Sequence, residues 1–349
     1  MSKKVLHLLN SGSYSGAENV AITIIKECKK KGYMGAYASL EGSISNSLEE
    51  NNIEYIPIKK MNIKNVRKII KLFDPDIIHA HDFTASFIAA LSTINVPIIS
   101  HIHNNVPWLK KLSLNSLIFL TSSFRAKKIL GVSPSILNEF VFSKLISKKF
   151  LNIGNPIDSN TILEKSKIKY SNKLYDLVFI GRLTEQKNPL KFISYVKKIQ
   201  IKIPNIRVAL IGTGELEHKC VELIKKLNLE KNIEMFGFIN NPYSILDDSK
   251  VLCMTSSWEG YGLVAAESLV LGKPVIAFPV GGLPTIVNDS CGLLTNSEDE
   301  YIQEVMNLIT NDHYYDVKKN NAYLRASEIA NLDIYIEKIV KEYDEIIQN

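Results

Sequence analysis

Short apolar runs alternate with helical stretches along this chain, and the alternation occurs twice. The first series has strand candidates at residues 5–9, 35–40, 55–57, 77–81, 98–103 and 128–132. A helix from about residue 17 to 31 follows the first of them and ends near Gly32. The second series has strand candidates at 177–181, 208–211, 233–236, 251–255 and 275–278. This strand–helix rhythm predicts parallel, doubly wound sheets, since parallel neighbours need a crossover and a helix supplies it. The α/β reading is therefore two Rossmann-like domains facing across a cleft, over residues 1–160 and 170–329. The polar stretch after Asp158, up to about Lys173, reads as a linker. The helical segment at about 330–349 is expected to pack back on the first domain. A chain of 349 residues suits two domains.

Charge divides the chain in two. Residues 1–165 hold 21 Lys+Arg against 12 Asp+Glu, and the remainder holds 21 against 24. A basic half beside a mildly acidic one points to an anionic partner. The four cysteines show neither CxxC pairing nor clustering, which fits reduced thiols in a cytoplasmic protein. No apolar stretch is long enough to span a bilayer, and residues 5–9, broken by His7, read as a strand and not a signal peptide.

The densest chemistry lies in the second series, at strand ends, where open α/β sheets bind ligands. GRLTEQK places Arg182 and Lys187 five residues apart, a spacing suited to a diphosphate. The next strand ends in GTG, with Gly212 and Gly214 expected where backbone comes close to a ligand. SSWEGYGLVAAESLV then carries two glutamates. Glu259 precedes a helix starting near Leu263, and a helix N-terminus receives phosphate oxygens readily. Glu267 stands in an otherwise apolar run, where an unpartnered carboxylate is costly to bury. A ribose or sugar diol would satisfy either carboxylate.

These segments resemble the retaining glycosyltransferases of family 4, which have the GT-B fold. EGYGLVAAE is similar to the family's E-x7-E motif, GRLTEQK to its diphosphate loop, and FPVGGLPTIV and SCGLL to the segments that follow. YSGAEN resembles the GGAE loop, and DIIHAHD, PIISHIHNN and GNPID match further segments in order. Thr285 stands where the family usually has Glu, and Ser15 where it has the first Gly of GGAE. The resemblance implies that Arg182 and Lys187 hold the donor diphosphate, Glu259 the donor sugar and Glu267 the ribose, with the backbone of Gly262 and Leu263 at the phosphates. It places His103 against the donor sugar and Gly16 on the donor side. Asp82 and Asn104 are acceptor-side candidates. The implied reaction is transfer from a nucleotide diphosphate sugar, with UDP the expected carrier, to a glycan or lipid-linked acceptor in surface polysaccharide assembly. Configuration is retained by front-face attack. Two cations and a helix dipole stand in for a metal, so no cofactor and no metal are expected.

Four of the seven histidines form two His-x-His pairs, His79/His81 and His101/His103. Alternation puts each pair on one strand face, but HAHD lacks the further ligands of a metallohydrolase pattern, and His79 and His101 read as structural. The segment from Trp108 to about residue 130 combines Lys110, Lys111, Arg125, Lys127 and Lys128 with large apolar residues. It reads either as an ordinary surface helix with its apolar face in the core or as a basic amphipathic helix on an anionic membrane surface. The basic first half favours the second, which would make the protein peripheral on the inner face of the plasma membrane. No nucleic-acid partner is expected. Three other readings compete. An NAD-dependent enzyme would use Gly12, Gly16 and Glu41, but the loop lacks G-x-G-x-x-G. A GT-B epimerase and a non-catalytic nucleotide-sugar-binding protein would share the donor site.

Overall fold

The computed structural model describes residues 3–170 and 173–348. The chain divides into two compact units, Met1–Pro156 with Leu332–Asn349, and Ile157–Asn331.

The first unit is built on strands β1 (Lys3–Leu8), β2 (Tyr33–Leu40), β3 (Glu54–Ile58), β4 (Ile77–Ala80), β5 (Ile98–Ile102), β6 (Lys128–Gly131) and β7 (Phe150–Asn152). All pairings are parallel, in the order β3-β2-β1-β4-β5-β6-β7. Helices join the strands and cover the faces, so β4 and β5 are buried along their whole length. Strand order reverses between β1 and β4, the topological switch point. The helix Leu332–Gln348 belongs to this unit. Its Tyr343 is fully buried, Asp344 pairs with Lys3, and Glu342 lies 2.7 Å from Lys128.

The second unit repeats the scheme with β8 (Tyr175–Ile180), β9 (Val208–Ile211), β10 (Ile233–Gly237), β11 (Ser249–Cys253), β12 (Val275–Ala277) and β13 (Gly292–Leu294). The order is β10-β9-β8-β11-β12-β13, again parallel throughout, with its switch between β8 and β11. Phe179, Phe192, Val196, Leu210, Ile276 and Tyr301 are among the residues of its main core.

Three details depart from the sequence reading. Residues 159–166 are a helix and not a linker: the Asp158 carboxylate accepts from Thr161 N at 3.0 Å and from the Thr161 hydroxyl at 2.6 Å, an N-cap that starts the turn. Residues 171 and 172 of that stretch lie outside the described residues. Strands β7 and β13 are the last in their sheets and span three residues each, too few to show a period in sequence.

Candidate active site

The loops after β8 and β11 sit side by side at the switch of the second sheet, and their residues are bonded together. Gln186 makes the joint: its backbone carbonyl accepts from Ser257 N at 2.8 Å, and its side-chain amide donates to Trp258 O at 3.1 Å. The Thr255 hydroxyl donates to Asn188 O at 2.8 Å. This joint brings the Lys187 ammonium to 2.5 Å from the Glu259 carboxylate, and the Ser256 hydroxyl donates to the same oxygen at 2.7 Å. Glu259 is buried, and the ion pair with a hydroxyl donor is what makes a buried carboxylate tolerable there. Arg182 is exposed on the same loop, 3.4 Å from the Gln186 side-chain oxygen.

The turn between the two glutamates is set by close packing. Gly262 has φ +101° and caps the helix Leu263–Val270. Gly281 has φ +58°, and a Cβ built there would lie 1.9 Å from the Glu259 carbonyl oxygen. Gly281 therefore presses directly on the Glu259 backbone, and Gly282 lies against the backbone of Gly260 and Tyr261. At Gly212, φ +137°, a Cβ would lie 1.9 Å from Gly181 O, and at Gly214 one would lie 2.5 Å from Leu183 O. What these two glycines approach closely in this structure is the Arg182 loop, which they seat against the sheet.

Glu267 follows on the same helix. One carboxylate oxygen accepts from the Tyr243 hydroxyl at 3.0 Å. Burial pushes the carboxyl up to about 7, against the smaller opposing pulls of that hydrogen bond and the Lys165 charge. Gln186 and Tyr243 were both missed in the sequence. Gln186 sits between two cations with no motif of its own, and Tyr243 reaches Glu267 only through the fold.

In the first unit the histidines form two rows. His7 Nδ1 lies 2.9 Å from His81 Nε2, and His81 Nδ1 lies 3.0 Å from His103 Nε2. His79 Nε2 lies 3.1 Å from His101 Nδ1, and its Nδ1 is 2.6 Å from the Tyr343 hydroxyl. Parallel register sets His7 beside His79, so strand alternation stacks the rings on one face. Burial lowers His7 and His103 to about 3 and holds His79, His81 and His101 well below the usual imidazole range. Nitrogens of His7, His79 and His81, and of His81, His101 and His103, lie within 4.8 Å of one another, and here they are hydrogen-bonded in pairs. His103 is thus the end of a row, with Nδ1 buried and not bonded.

Asp82 has a local role: it caps the helix Phe83–Ser92 through Ala85 N at 2.7 Å and clamps Asn10 N at 2.8 Å. Asn104 keeps a buried, unpartnered side-chain oxygen. Gly16 opens the helix Gly16–Lys30, where the Ser15 hydroxyl donates to the Glu18 carboxylate.

Two family profiles match adjoining stretches of this chain, one described as Glycosyltransferase Family 4 over residues 14–160 and one as Glycosyl transferases group 1 over residues 161–325. The chain belongs to the family 4 glycosyltransferases and is a transferase enzyme of that class. An uncharacterized glycosyltransferase of Methanocaldococcus jannaschii is 30% identical over 234 residues, which is 61% of this chain and 57% of that relative's length. The Campylobacter jejuni N-acetylgalactosamine-N,N'-diacetylbacillosaminyl-diphospho-undecaprenol 4-alpha-N-acetylgalactosaminyltransferase is 27% identical over 241 residues, 68% of this chain and 64% of that relative. The solved structure of Anabaena HepE in complex with UDP-glucose superposes with a TM-score of 0.87 at 20% identity, covering 98% of this chain and 99% of that one. This likeness gives the fold as GT-B.

Proposed function

We propose that the protein transfers a sugar from a nucleotide diphosphate sugar, with UDP as carrier, to a lipid-linked or oligosaccharide acceptor in bacterial surface polysaccharide assembly. The observation that carries this reading is the bonded pair of loops holding Arg182, Lys187 and Glu259 at the switch of the second sheet, beside the N-terminus of the helix that bears Glu267. The UDP-glucose of the Anabaena structure and the diphospho-undecaprenol acceptor of the Campylobacter relative support the substrate classes.

Arg182 and Lys187 neutralise the diphosphate as it leaves, and the unpaired N–H groups of the first turn at Leu263 add to that potential. Lys187 also orients Glu259 through the ion pair, so the same ammonium couples sugar recognition to phosphate departure. Fixed cations make the chemistry metal-independent. Retention follows from front-face attack, in which a leaving phosphate oxygen takes the acceptor's proton. The test is incubation with UDP-sugars and a lipid-diphosphate glycan acceptor in excess chelator, with proton NMR of the product. A new glycosidic bond with the donor's anomeric configuration is expected. Inverted product, or strict dependence on added metal, would overturn the mechanism.

We also propose that the first unit rests on the anionic inner face of the membrane. Leu112 and Leu114 are 73% exposed and Phe124 is 56% exposed, with Lys110 and Lys111 exposed beside Leu112 in sequence. The basic set is smaller than the sequence suggests. The helix covers only Leu114–Arg125, Lys128 lies in β6 bonded to Glu342, Lys110 is 3.3 Å from Glu139, and Arg125 donates to Thr93 O. Among the described residues no helix is long and apolar enough to cross a membrane.

A further inference from the structure

Tyr243 is not part of the E-x7-E segment, yet its hydroxyl is bonded to the second glutamate of that segment. It stands at the first position of the short helix Tyr243–Asp247, just past β10, where the Asn241 side chain accepts from Tyr243 N at 3.3 Å. The Asn241 amide in turn donates to Lys165 O at 3.0 Å. Lys165 lies on the helix Ser159–Ser166, which packs against both the Tyr243 helix and the helix Leu263–Val270. Three segments far apart in sequence therefore converge on one carboxylate. Among the described residues, Tyr243 is the sole side-chain hydrogen-bond partner of Glu267.

We infer that Tyr243 is a positioning residue for Glu267, its phenol fixing one carboxylate oxygen so that the other is presented to the ribose diol of the donor. The inference rests on the ribose role given to Glu267 above. A carboxylate on a flexible side chain can rotate, and a hydrogen bond to one oxygen selects one orientation of the acceptor pair. A phenol can only donate to an ionised carboxylate, so the bond also favours the charged form that a diol needs.

The charged groups around Glu267 leave that task to few residues. Lys165, from the helix Ser159–Ser166, draws the carboxyl towards ionisation. On the helix Asp312–Ile329, Lys318 is bonded to Asp289 O and Gly292 O, and Arg325 to Thr285 O and Ile286 O. Asp247, on the Tyr243 helix, is paired with Lys273 at 3.3 Å. Burial holds Glu267 near 7, so the loss of one donor falls where solution pH reads it out.

The experiment is calorimetric titration of UDP into the full chain between pH 5.5 and 9, for wild type, Tyr243→Phe and Glu267→Gln. Phenylalanine keeps the ring and removes only the hydroxyl. Wild-type affinity should rise with pH through about 7. Tyr243→Phe should move that midpoint up by about one to two pH units, the size of one hydrogen bond to a charged group. Its affinity at pH 7 should fall about tenfold and recover near pH 9. An unchanged midpoint in Tyr243→Phe, with UDP binding still lost in Glu267→Gln, overturns the role of Tyr243 alone. Glu267→Gln that binds UDP and 2'-deoxy-UDP as wild type does overturns the ribose reading itself.

Discussion

The two units share a winding and differ in how their switch strands handle buried polar groups. In the first, His7, His79, His81, His101 and His103 lie in the sheet layer and are kept neutral by burial, each bonded to a neighbour. In the second, an acid–base pair is built in, with Lys187 facing Glu259, and Glu267 has a single phenol against it. The histidines bond mainly to one another, leaving His101 Nε2 and His103 Nδ1 buried without a partner. The second holds cations and a carboxylate with bonding capacity left over, which is what a ligand site requires.

This contrast predicts opposite responses to acid, and that is the largest effect expected. A histidine held neutral in the fold contributes stability that is present above its unfolded value of 6.5 and lost as pH falls towards about 3. All five are lowered by burial, so each disfavours the folded state in the same direction as pH falls below 6.5. Glu18 and Asp82, both raised by burial, oppose this in part. In the second unit, Glu267 is raised from 4.5 to about 7, so it gains relative stability as pH falls through that interval. The first unit should therefore unfold at a higher pH than the second on acidification. The two tryptophans report them separately, Trp108 in the first unit and Trp258 in the second. Fluorescence of single-tryptophan variants with coincident acid transitions would break the contrast.

Lys187→Ala tests the charged side of it. Transfer should fall at least about a hundredfold, the usual effect of removing a fixed donor from a developing negative charge. The variant should also melt lower, because Glu259 loses its counter-ion in a buried place. A variant with near-wild-type turnover would remove Lys187 from the chemistry.

Gly281→Ala probes the turn. A Cβ at that position meets the Glu259 carbonyl, and φ +58° strains any L-residue there. We expect a loss of about 1 kcal/mol or more in stability with reduced donor affinity, read by denaturant titration and calorimetry. The smallest effect is at the surface. Neutralising Lys110 and Lys111 should lower co-sedimentation with anionic vesicles by a few-fold at low salt, and equal binding would sink the membrane proposal.

Much of this was legible in the sequence because strand ends and glycine turns are local. The second series and the E-x7-E spacing located Arg182, Lys187, Glu259 and Glu267 on the loops and helix that hold them. What stayed hidden is pairing at a distance. Nothing local shows that Gln186 ties two loops together, that Tyr243 reaches Glu267, or that Lys128 is neutralised by Glu342 more than two hundred residues later. The histidine rows fall between these cases. The two His-x-His pairs are visible, but only parallel register adds His7 and joins them across strands.

The central claim is that the second unit holds a nucleotide diphosphate sugar through its paired loops and Glu267. The most direct measurement is thermal shift of the full chain with UDP-, GDP- and ADP-sugars and NAD, beside Lys187→Ala and Glu267→Gln. The account predicts stabilisation by a nucleotide sugar, strongest for a UDP-sugar, and its loss in both variants. Stabilisation by NAD alone, or a nucleotide-sugar response that survives both substitutions, would contradict it.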